Sequence, residues 1–180
     1  GTSTADINDL ASFDSTDDAD IEYTAATSTG YIQLSDDTDL LIATSSAVTF
    51  PDTLLLTGDL VVNGTVTTQL PYNHTIFEGT GNLSGNGTTS LGIIVASSSY
   101  TIGATVSTAD LIISSGNTLT VAANQTLSVG GDIVNNGSLT NNGTITFTGT
   151  ENTSVNLGTE NLNDTTSLSA YDSTPEDIAF

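Results

Sequence analysis

The spacing of aliphatic residues between Leu127 and Phe147 is the feature that most constrains the fold. Four aliphatic residues lie six positions apart, with Asn-Gly pairs between the last three: Leu127, Ile133, Leu139 and Ile145. Six is an even number, so all four side chains point to one side of an extended chain, whereas a helix needs apolar residues three and four apart. Only three or four residues separate successive turns, which is too short for stable two-stranded hairpins. A solenoid tolerates such strands because each coil pairs with its neighbours. The spacing therefore favours an all-β solenoid.

The same spacing occurs earlier in the chain, at Ile42, Val48, Leu54, Leu60 and Val66. Pro and Gly between these residues exclude one continuous strand. A recurring spacing predicts stacked coils of one kind. Later aliphatic groups step by eight residues, from Leu111 to Leu119 and Leu127, so we expect an irregular β-solenoid, or parallel β-helix. Residues 70–99 blur the pattern, which predicts an excursion or wider turn from the stack.

Composition divides the chain into three segments. Residues 1–40 form an acidic N-terminal arm, residues 41–158 the solenoid core and residues 159–180 a C-terminal tail. Both terminal segments lack the core spacing and are expected to be extended. The alternative fold is a β-sandwich that polymerises by strand exchange. That fold predicts antiparallel pairing across the Asn63-Gly64 turn.

The chain contains no Lys, Arg or Cys, and its 21 Asp and Glu residues give a net charge of −21. Nucleic acid and anionic membranes are therefore poor partners. Zinc sites, Schiff bases and phosphate clamps lack their usual residues, so we expect no enzyme activity and no required cofactor. No apolar run approaches the roughly 20 residues that span a bilayer, so we expect no membrane insertion. An acidic or ion-rich exterior suits this charge, which favours an extracellular or cell-surface location.

Two segments carry a resemblance to known proteins. Residues 114–149, and the run GDLVVNGTVT at Gly58–Thr67 within residues 54–67, contain short aliphatic strands and Asn-Gly turns. The first segment resembles the right-handed parallel β-helices of bacterial surface adhesins and filamentous-haemagglutinin-like passengers. The second is similar to segments of polymer-forming bactofilins. The resemblance implies a surface protein with a structural or adhesive role and brings no catalytic motif.

An acidic cluster in the N-terminal arm offers the hard oxygen ligands that Ca²⁺ prefers. It consists of Asp14, Asp17, Asp18, Asp20 and Glu22. It lacks the Gly and the downstream Glu of an EF-hand loop. A solvated acidic run is the alternative interpretation, so Ca²⁺ is the one candidate cofactor.

Asn-x-Ser/Thr sequons, the acceptor sites of N-linked glycans, are frequent in this chain. Nine begin at Asn63, Asn73, Asn82, Asn86, Asn124, Asn136, Asn142, Asn152 and Asn163. Part of this frequency follows from the Asn-Gly-Thr turns themselves. On a secreted chain the exposed sequons are predicted to carry glycans.

The sequence favours a secreted structural subunit that self-assembles non-covalently into a filament or surface coat. Subunits would be joined through terminal arms or stacked solenoid ends, because an open end exposes unpaired strand edges. Candidate subunit contacts are the apolar residues of the two arms, namely Ile21, Tyr23, Tyr31, Ile32, Leu34, Ile178 and Phe180. The alternative is an adhesin or phage-fibre-type binding module whose ligand lies on ladders of Thr and Asn.

Overall fold

Short parallel β-strands make up the regular structure of the described chain. The computed structural model describes residues 39–68 and 73–149, together with the backbone of four flanking strands. In chain order the strands are β1 (Ile21–Tyr23), β2 (Thr27–Ser28), β3 (Ile32–Gln33), β4 (Leu40–Ile42), β5 (Ala47–Phe50), β6 (Leu54–Leu56), β7 (Leu60–Val62), β8 (Thr65–Thr68), β9 (His74–Phe77), β10 (Gly81–Ser84), β11 (Thr88–Ala96), β12 (Tyr100–Ile102), β13 (Val106–Ile113), β14 (Thr118–Val121), β15 (Thr126–Val129), β16 (Ile133–Asn135), β17 (Ser138–Asn141), β18 (Thr144–Phe147) and β19 (Val155–Asn156).

The strands wind into a solenoid with three faces. Face A consists of β1, β4, β7, β10, β12, β14 and β17. Face B consists of β2, β5, β8, the first halves of β11 and β13, β15 and β18; face C consists of β3, β6, β9, the second halves of β11 and β13, β16 and β19. Five complete coils follow one another: coil 1 (β4–β6), coil 2 (β7–β9), coil 3 (β10 and β11), coil 4 (β12 and β13) and coil 5 (β14–β16).

The pairing confirms the predicted all-β solenoid. Every strand pair in the described part of the chain is parallel, and β8, which follows Asn63-Gly64, pairs in parallel with β5 and β11. Antiparallel pairing across that turn, as the alternative β-sandwich requires, is therefore wrong for this chain. A single turn between two faces replaces the hairpin, because the chain turns a corner of the coil and does not reverse.

The six-residue spacing corresponds to one face of the coil. Ile42, Val48 and Leu54 lie on faces A, B and C in turn, and each is at most 1% exposed. Three such steps return the chain to the face on which it began. Paired residues in adjacent coils lie between 17 positions apart, as for Thr89 and Val106, and 23 positions apart, as for Leu60 and Leu83. The coil length is thus irregular, in agreement with the mixed steps in the sequence.

The interior is a single apolar column filled from all three faces. Alternate residues of each strand point inward, and the buried residues, mainly Leu, Ile, Val and Phe, form one cluster along the stack. Two buried threonines complete the corner where β11 bends at Gly92. The Thr68 hydroxyl accepts a hydrogen bond from the Gly92 N–H, and the Thr108 hydroxyl donates to the Gly92 carbonyl at 2.6 Å. These bonds satisfy backbone groups at the bend.

Of the excursion or wider turn predicted for residues 70–99, the excursion is wrong for residues 73–99. These residues contain β9, β10, β11 and the turns between them, all within coils 2 and 3. The aliphatic spacing is lost there because β8 ends at Thr68 and β9 begins at His74, which lengthens one corner of the coil. His74 lies in a strand of face C and pairs with Ile93.

Three short strands of the predicted N-terminal arm pair with coil 1. Ile21 pairs with Leu40, Thr27 with Val48 and Ile32 with Leu54. Apart from Asp39 and Leu40, the remaining residues of that arm lie outside the described residues, as does the predicted tail at residues 159–180. The last described strand, β19, pairs with β16.

Candidate functional site

Three carboxylates of the described residues bind backbone groups of neighbouring coils. Asp39 accepts a hydrogen bond from the Asp59 N–H at 2.7 Å, and Asp59 accepts one from the Asn82 N–H at 2.8 Å. Asp110 accepts one from the Asp132 N–H at 2.8 Å. Within residues 39–68 and 73–149, no three His, Cys, Asp or Glu side chains come close enough to hold a metal ion. These acids therefore link adjacent coils at positions where the chain enters a strand.

Face C carries a row of outward-pointing aliphatic residues. One such residue from each of the five coils lies directly over the next in the register of the sheet: Leu55, Ile76, Val95, Ile112 and Val134. We call this row the aliphatic column. Leu55 is only 6% exposed. Val134 is 37% exposed and is the most exposed large hydrophobic side chain of the described residues. The three residues between them are partly exposed. Outward positions of a strand accept polar residues equally well, yet one such position in each coil of face C is aliphatic.

Face B carries two rows of outward-pointing hydroxyl residues. The first row is Ala47, Thr65, Thr88, Thr105, Thr126 and Thr144; the second is Thr49, Thr67, Ser90, Ser107, Ser128 and Thr146. Thr105 directly precedes β13 and continues the first row. We call these twelve positions the hydroxyl array. Eleven of them are Thr or Ser, none carries charge, and all are exposed or partly exposed.

Neither the aliphatic column nor the hydroxyl array was predicted from the sequence. The Thr-x-Thr and Thr-x-Ser triplets that build the hydroxyl array are visible in the chain, for example at residues 65–67 and 126–128. Their separation varies because the coil length varies, so no fixed period marks them. Only the register of face B brings them into line.

Four sequon asparagines lie at one corner of the solenoid, in turns between faces A and B. They are exposed and belong to coils 2, 3 and 5 and to the turn between β17 and β18: Asn63, Asn86, Asn124 and Asn142. Asn124 adopts a positive φ of 64°, a conformation that Asn tolerates better than most residues. Asn136 is also exposed, in the turn between faces C and A. The structure thus aligns sequons that are far apart in the sequence.

The glycine of each Asn-Gly pair lies directly against the turn of the preceding coil. A Cβ atom on Gly87 would lie 2.1 Å from the Gly64 carbonyl oxygen, and one on Gly143 would lie 2.4 Å from the Ala122 carbonyl oxygen. Such distances exclude any side chain at these positions. Asn-Gly therefore places a polar side chain outside and allows close stacking inside, which is why the pair recurs at the corners.

Two of these turns are closed by a buried asparagine that precedes the exposed one. Asn135 and Asn141 are 2% and 5% exposed. Their Oδ1 atoms accept hydrogen bonds from the N–H groups of Gly137 at 3.0 Å and Gly143 at 3.1 Å. The Asn side chain thus forms a local turn with backbone two residues ahead.

The side chains of two further sequon asparagines pack against other residues of the solenoid. The Asn73 amide donates a hydrogen bond to the Pro51 carbonyl. Asn82 lies within β10, and its Oδ1 atom is enclosed without a hydrogen-bond partner among the described residues. Both side chains are only partly exposed, so a glycan would have to displace existing packing there.

The other predicted site residues are placed only in part. Glu22 of the acidic cluster lies in β1, as do Ile21 and Tyr23, and Ile32 lies in β3. Their backbone pairs with coil 1, and their side chains are not described. The remaining predicted residues lie outside the described residues: Asp14, Asp17, Asp18, Asp20, Tyr31, Leu34, Asn152, Asn163, Ile178 and Phe180.

Two aromatic rings stack inside the solenoid between coils 2 and 4. The rings of Phe77 and Tyr100 lie 3.9 Å apart and are tilted by 3°. Burial raises the pKa of Tyr100 well above its ordinary value, and the nearby Asp59 carboxylate adds to this effect. The phenol therefore stays neutral and acts as a hydrogen-bond donor within the core.

A shallow depression of about 260 Å³ lies at the corner between faces C and A. Small polar residues of two stacked turns line it, and none of its six lining residues is titratable: Gly116, Asn117, Thr118, Asn136, Gly137 and Ser138. It has no group suited to general acid–base or nucleophilic chemistry.

Comparison with known proteins gives no match. No family model, no curated protein and no solved structure is similar to this chain. The part of the chain that the structure describes also contains no helix with the length and apolar character needed to cross a membrane.

Proposed function

We propose that the chain is a secreted structural subunit that self-assembles non-covalently into an extracellular filament or surface coat. The aliphatic column on face C is the observation that carries the proposal. Terminal arms or stacked solenoid ends would join subunits along the solenoid, and the aliphatic column would join them side by side. The proposal requires no catalytic group and no cofactor.

The aliphatic column is unusual because most outward positions on face B are occupied by polar residues. The equivalent outward positions of face B are Thr or Ser in eleven of twelve cases. On face C, one outward position is aliphatic in each of the five coils, with Ile93 beside the column in coil 3. Four of the five column residues are at least partly exposed, and apolar residues grouped on one surface are typical of protein contact sites. Burial of such a row stabilises a complex by about 25 cal/mol for each Å² of apolar area removed from water.

A second copy of the chain is the partner that fits this surface best. The chain has no Lys or Arg, so two copies can make no ionic contact through those side chains, and their mutual contact must be uncharged. A basic partner would be attracted to the acidic side chains of the chain and has no special affinity for an aliphatic row. Two identical columns also have the same coil spacing, so residues of one column can pack between those of the other along the whole length. Such a self-complementary patch is the usual basis of symmetric association.

The net charge of −21 opposes assembly and makes it dependent on solution conditions. At 0.1 M salt the Debye length is about 10 Å, so salt screens much of this repulsion. Divalent cations and acid reduce the charge directly. Assembly is therefore expected to increase with salt, with Ca²⁺ and at low pH.

Sedimentation velocity and electron microscopy of the full chain test the proposal. The wild type is expected to form filaments or sheets at high concentration in salt, with Ca²⁺ or at low pH. Val134→Asp places a charge on the exposed end of the column and should raise the concentration needed for assembly at least tenfold. Thr140→Asp adds the same charge on face A and is the control. Monodisperse wild-type particles under all these conditions would rule out the proposal. An equal effect of both substitutions would rule out the aliphatic column as the contact.

A binding module is the second candidate function, and the hydroxyl array favours it. This array is a broad, uncharged row of hydrogen-bonding groups on a rigid sheet. A surface adhesin or fibre with such a ladder would bind its ligand on face B and need not polymerise. Glycans on the exposed sequons are compatible with either function.

A further inference from the structure

The hydroxyl array on face B has a regular two-dimensional geometry. Neighbouring strands of a sheet lie about 4.8 Å apart, so each row repeats at this distance along the solenoid axis. The two rows are separated by two residues of an extended strand, which is about 6.6 Å. Six strands contribute, from β5 to β18, so the array extends over five intervals, or about 24 Å. Its regularity follows from the in-register parallel pairing of face B.

The array is rigid because a buried residue lies between the two outward residues of each strand. Five of these residues are aliphatic and at most 2% exposed: Val48, Val66, Val106, Leu127 and Ile145. The sixth, Thr89, is 3% exposed. Eight of the eleven hydroxyl residues are Thr, and the β-branched Thr side chain has restricted rotation about χ1. The hydroxyl groups therefore keep their spacing without a large loss of entropy on binding.

Hydroxyl groups of one row that share a side-chain rotamer repeat at the strand spacing. This spacing is about 4.8 Å, whereas an O–H···O hydrogen bond spans about 2.5–3.0 Å. Hydroxyls in this arrangement bond to water and not to each other. Water molecules held between neighbouring hydroxyls would repeat once for each coil, in two parallel rows. Face B thus imposes a fixed period on its first layer of water in two directions.

Two features of the array suit the binding of crystalline water better than the binding of an ion or a sugar. Its twelve positions carry no charged side chain, so no strongly hydrated ion disturbs the water layer. They also carry no aromatic ring on which a sugar could stack, and no carboxylate or amide that would hold a sugar hydroxyl. The strand spacing is close to the repeat of oxygen atoms along a row of hexagonal ice.

We infer that face B is an ice-binding surface, in which ordered water on the hydroxyl array joins the lattice of an ice crystal. This inference is independent of the proposed self-assembly, which uses face C. The occupant is ice itself, and no partner protein or cofactor is needed. Adsorption of the chain would slow the growth of the crystal face to which it binds.

The other two faces show that this surface is specific to face B. On face C the aligned outward row is aliphatic. Face A has no such array, because Leu41 and Val61 are aligned with Ser84, whereas the run of threonines begins only at Thr101, in the separate row of Asn82. Thr101, Thr120 and Thr140 are aligned there in one short row. Face A therefore offers threonines in strands of the same solenoid without a complete array.

Thermal hysteresis and adsorption to a growing ice crystal test the inference with the full chain. The wild type is expected to lower the freezing point below the melting point and to concentrate in the ice. Thr67→Tyr inserts a bulky ring into the second row and should reduce the hysteresis at least fivefold. Thr120→Tyr makes the same change on face A and should leave it unaltered. Thermal unfolding followed by circular dichroism checks that both variants remain folded.

A gain of activity gives a second test that misfolding cannot imitate. Ser90→Thr, Ser107→Thr and Ser128→Thr together would complete the second row with methyl groups and should increase the hysteresis about twofold or more. Wild-type hysteresis no larger than that of an inert protein at the same concentration would overturn the inference. Equal losses in Thr67→Tyr and Thr120→Tyr would also overturn it, as would binding to an insoluble polysaccharide without binding to ice. Val134→Asp should leave ice binding intact, so failure of self-assembly is distinguishable from failure of this inference.

Discussion

The Tyr100 hydroxyl donates a hydrogen bond to the Gly58 carbonyl at 2.9 Å, across the whole of coil 3. Tyr100 begins β12 in coil 4, and Gly58 lies just before β7 in coil 2. Gly81 of coil 3 lies between them, where its missing side chain leaves room for the ring. Most bonds in a solenoid join adjacent coils, but this one joins three coils into a unit.

Tyr100→Phe should lower the free energy of unfolding by about 1–2 kcal/mol, because it leaves the buried Gly58 carbonyl without its donor. Urea unfolding followed by circular dichroism measures this change. Thr120→Val, on the outer surface of face A, is the control and should stay within about 0.5 kcal/mol of the wild type. An unchanged unfolding midpoint for Tyr100→Phe would show that the hydrogen bond contributes nothing.

Alkaline pH should destabilise the fold through the same residue. Burial, with the Asp59 carboxylate, raises the pKa of Tyr100 in the folded state, whereas an unfolded Tyr titrates near pH 10. Above that pH the unfolded chain has lost the proton and the folded chain retains it, so stability falls as pH rises, by roughly 1.4 kcal/mol for each pH unit. Below it this contribution is fully present. Urea unfolding between pH 8 and pH 11.5 measures the slope, at pH values chosen on both sides of about 10. An equally steep slope in Tyr100→Phe would contradict the assignment to Tyr100.

Gly81→Ala should destabilise the fold by about 3 kcal/mol, because the core cannot accept another atom there. The added Cβ would lie 2.6 Å from the Gly58 carbonyl oxygen and 2.7 Å from a carbon of the Tyr100 ring. Gly130→Ala is a matched control, since its Cβ would meet nothing closer than 3.6 Å. Chemical unfolding compares the two variants. The explanation fails if they are equally stable.

Asn135→Ala and Asn136→Ala should differ although the residues are adjacent. Asn135 is buried and accepts a hydrogen bond from the Gly137 N–H, so its loss should cost about 1–3 kcal/mol. Asn136 is exposed, and its replacement should change stability by no more than about 0.5 kcal/mol. Thermal unfolding of the two variants measures the difference. Similar melting temperatures would mean that the buried amide does not hold the turn.

Glycan occupancy should follow the corners of the solenoid and not the sequence pattern alone. If the chain is exported through a pathway with N-glycosylation, the exposed residues Asn63, Asn86, Asn124 and Asn142 should be modified, whereas Asn82 should not. Mass spectrometry of peptides from native material measures occupancy at each site. Modification of Asn82 at a level equal to that of the four corner residues would contradict the prediction.

Local patterns were sufficient to predict the solenoid because its coils are short and its corners use Asn-Gly. The steps of six and eight residues marked inward positions correctly from Ile42 to Val66 and from Leu127 to Ile145. The pattern failed near His74, where a longer corner separates β8 from β9. A change in corner length alters the spacing without changing the fold, and spacing is all that the pattern measures.

The sequence alone determined that the chain is all-β and strongly acidic and that its turns fall at Asn-Gly pairs. These properties are local, since they depend on alternation, side-chain charge and backbone preference. Only the tertiary structure decided which outward residues share a face. Thr67 and Ser90 lie side by side because face B pairs them, and Ile112 and Val134 meet on face C for the same reason. Parallel stacking joins residues from different coils at sequence separations that vary with the length of each corner. The hydroxyl array, the aliphatic column and the alignment of sequons at one corner therefore exist only in the folded chain.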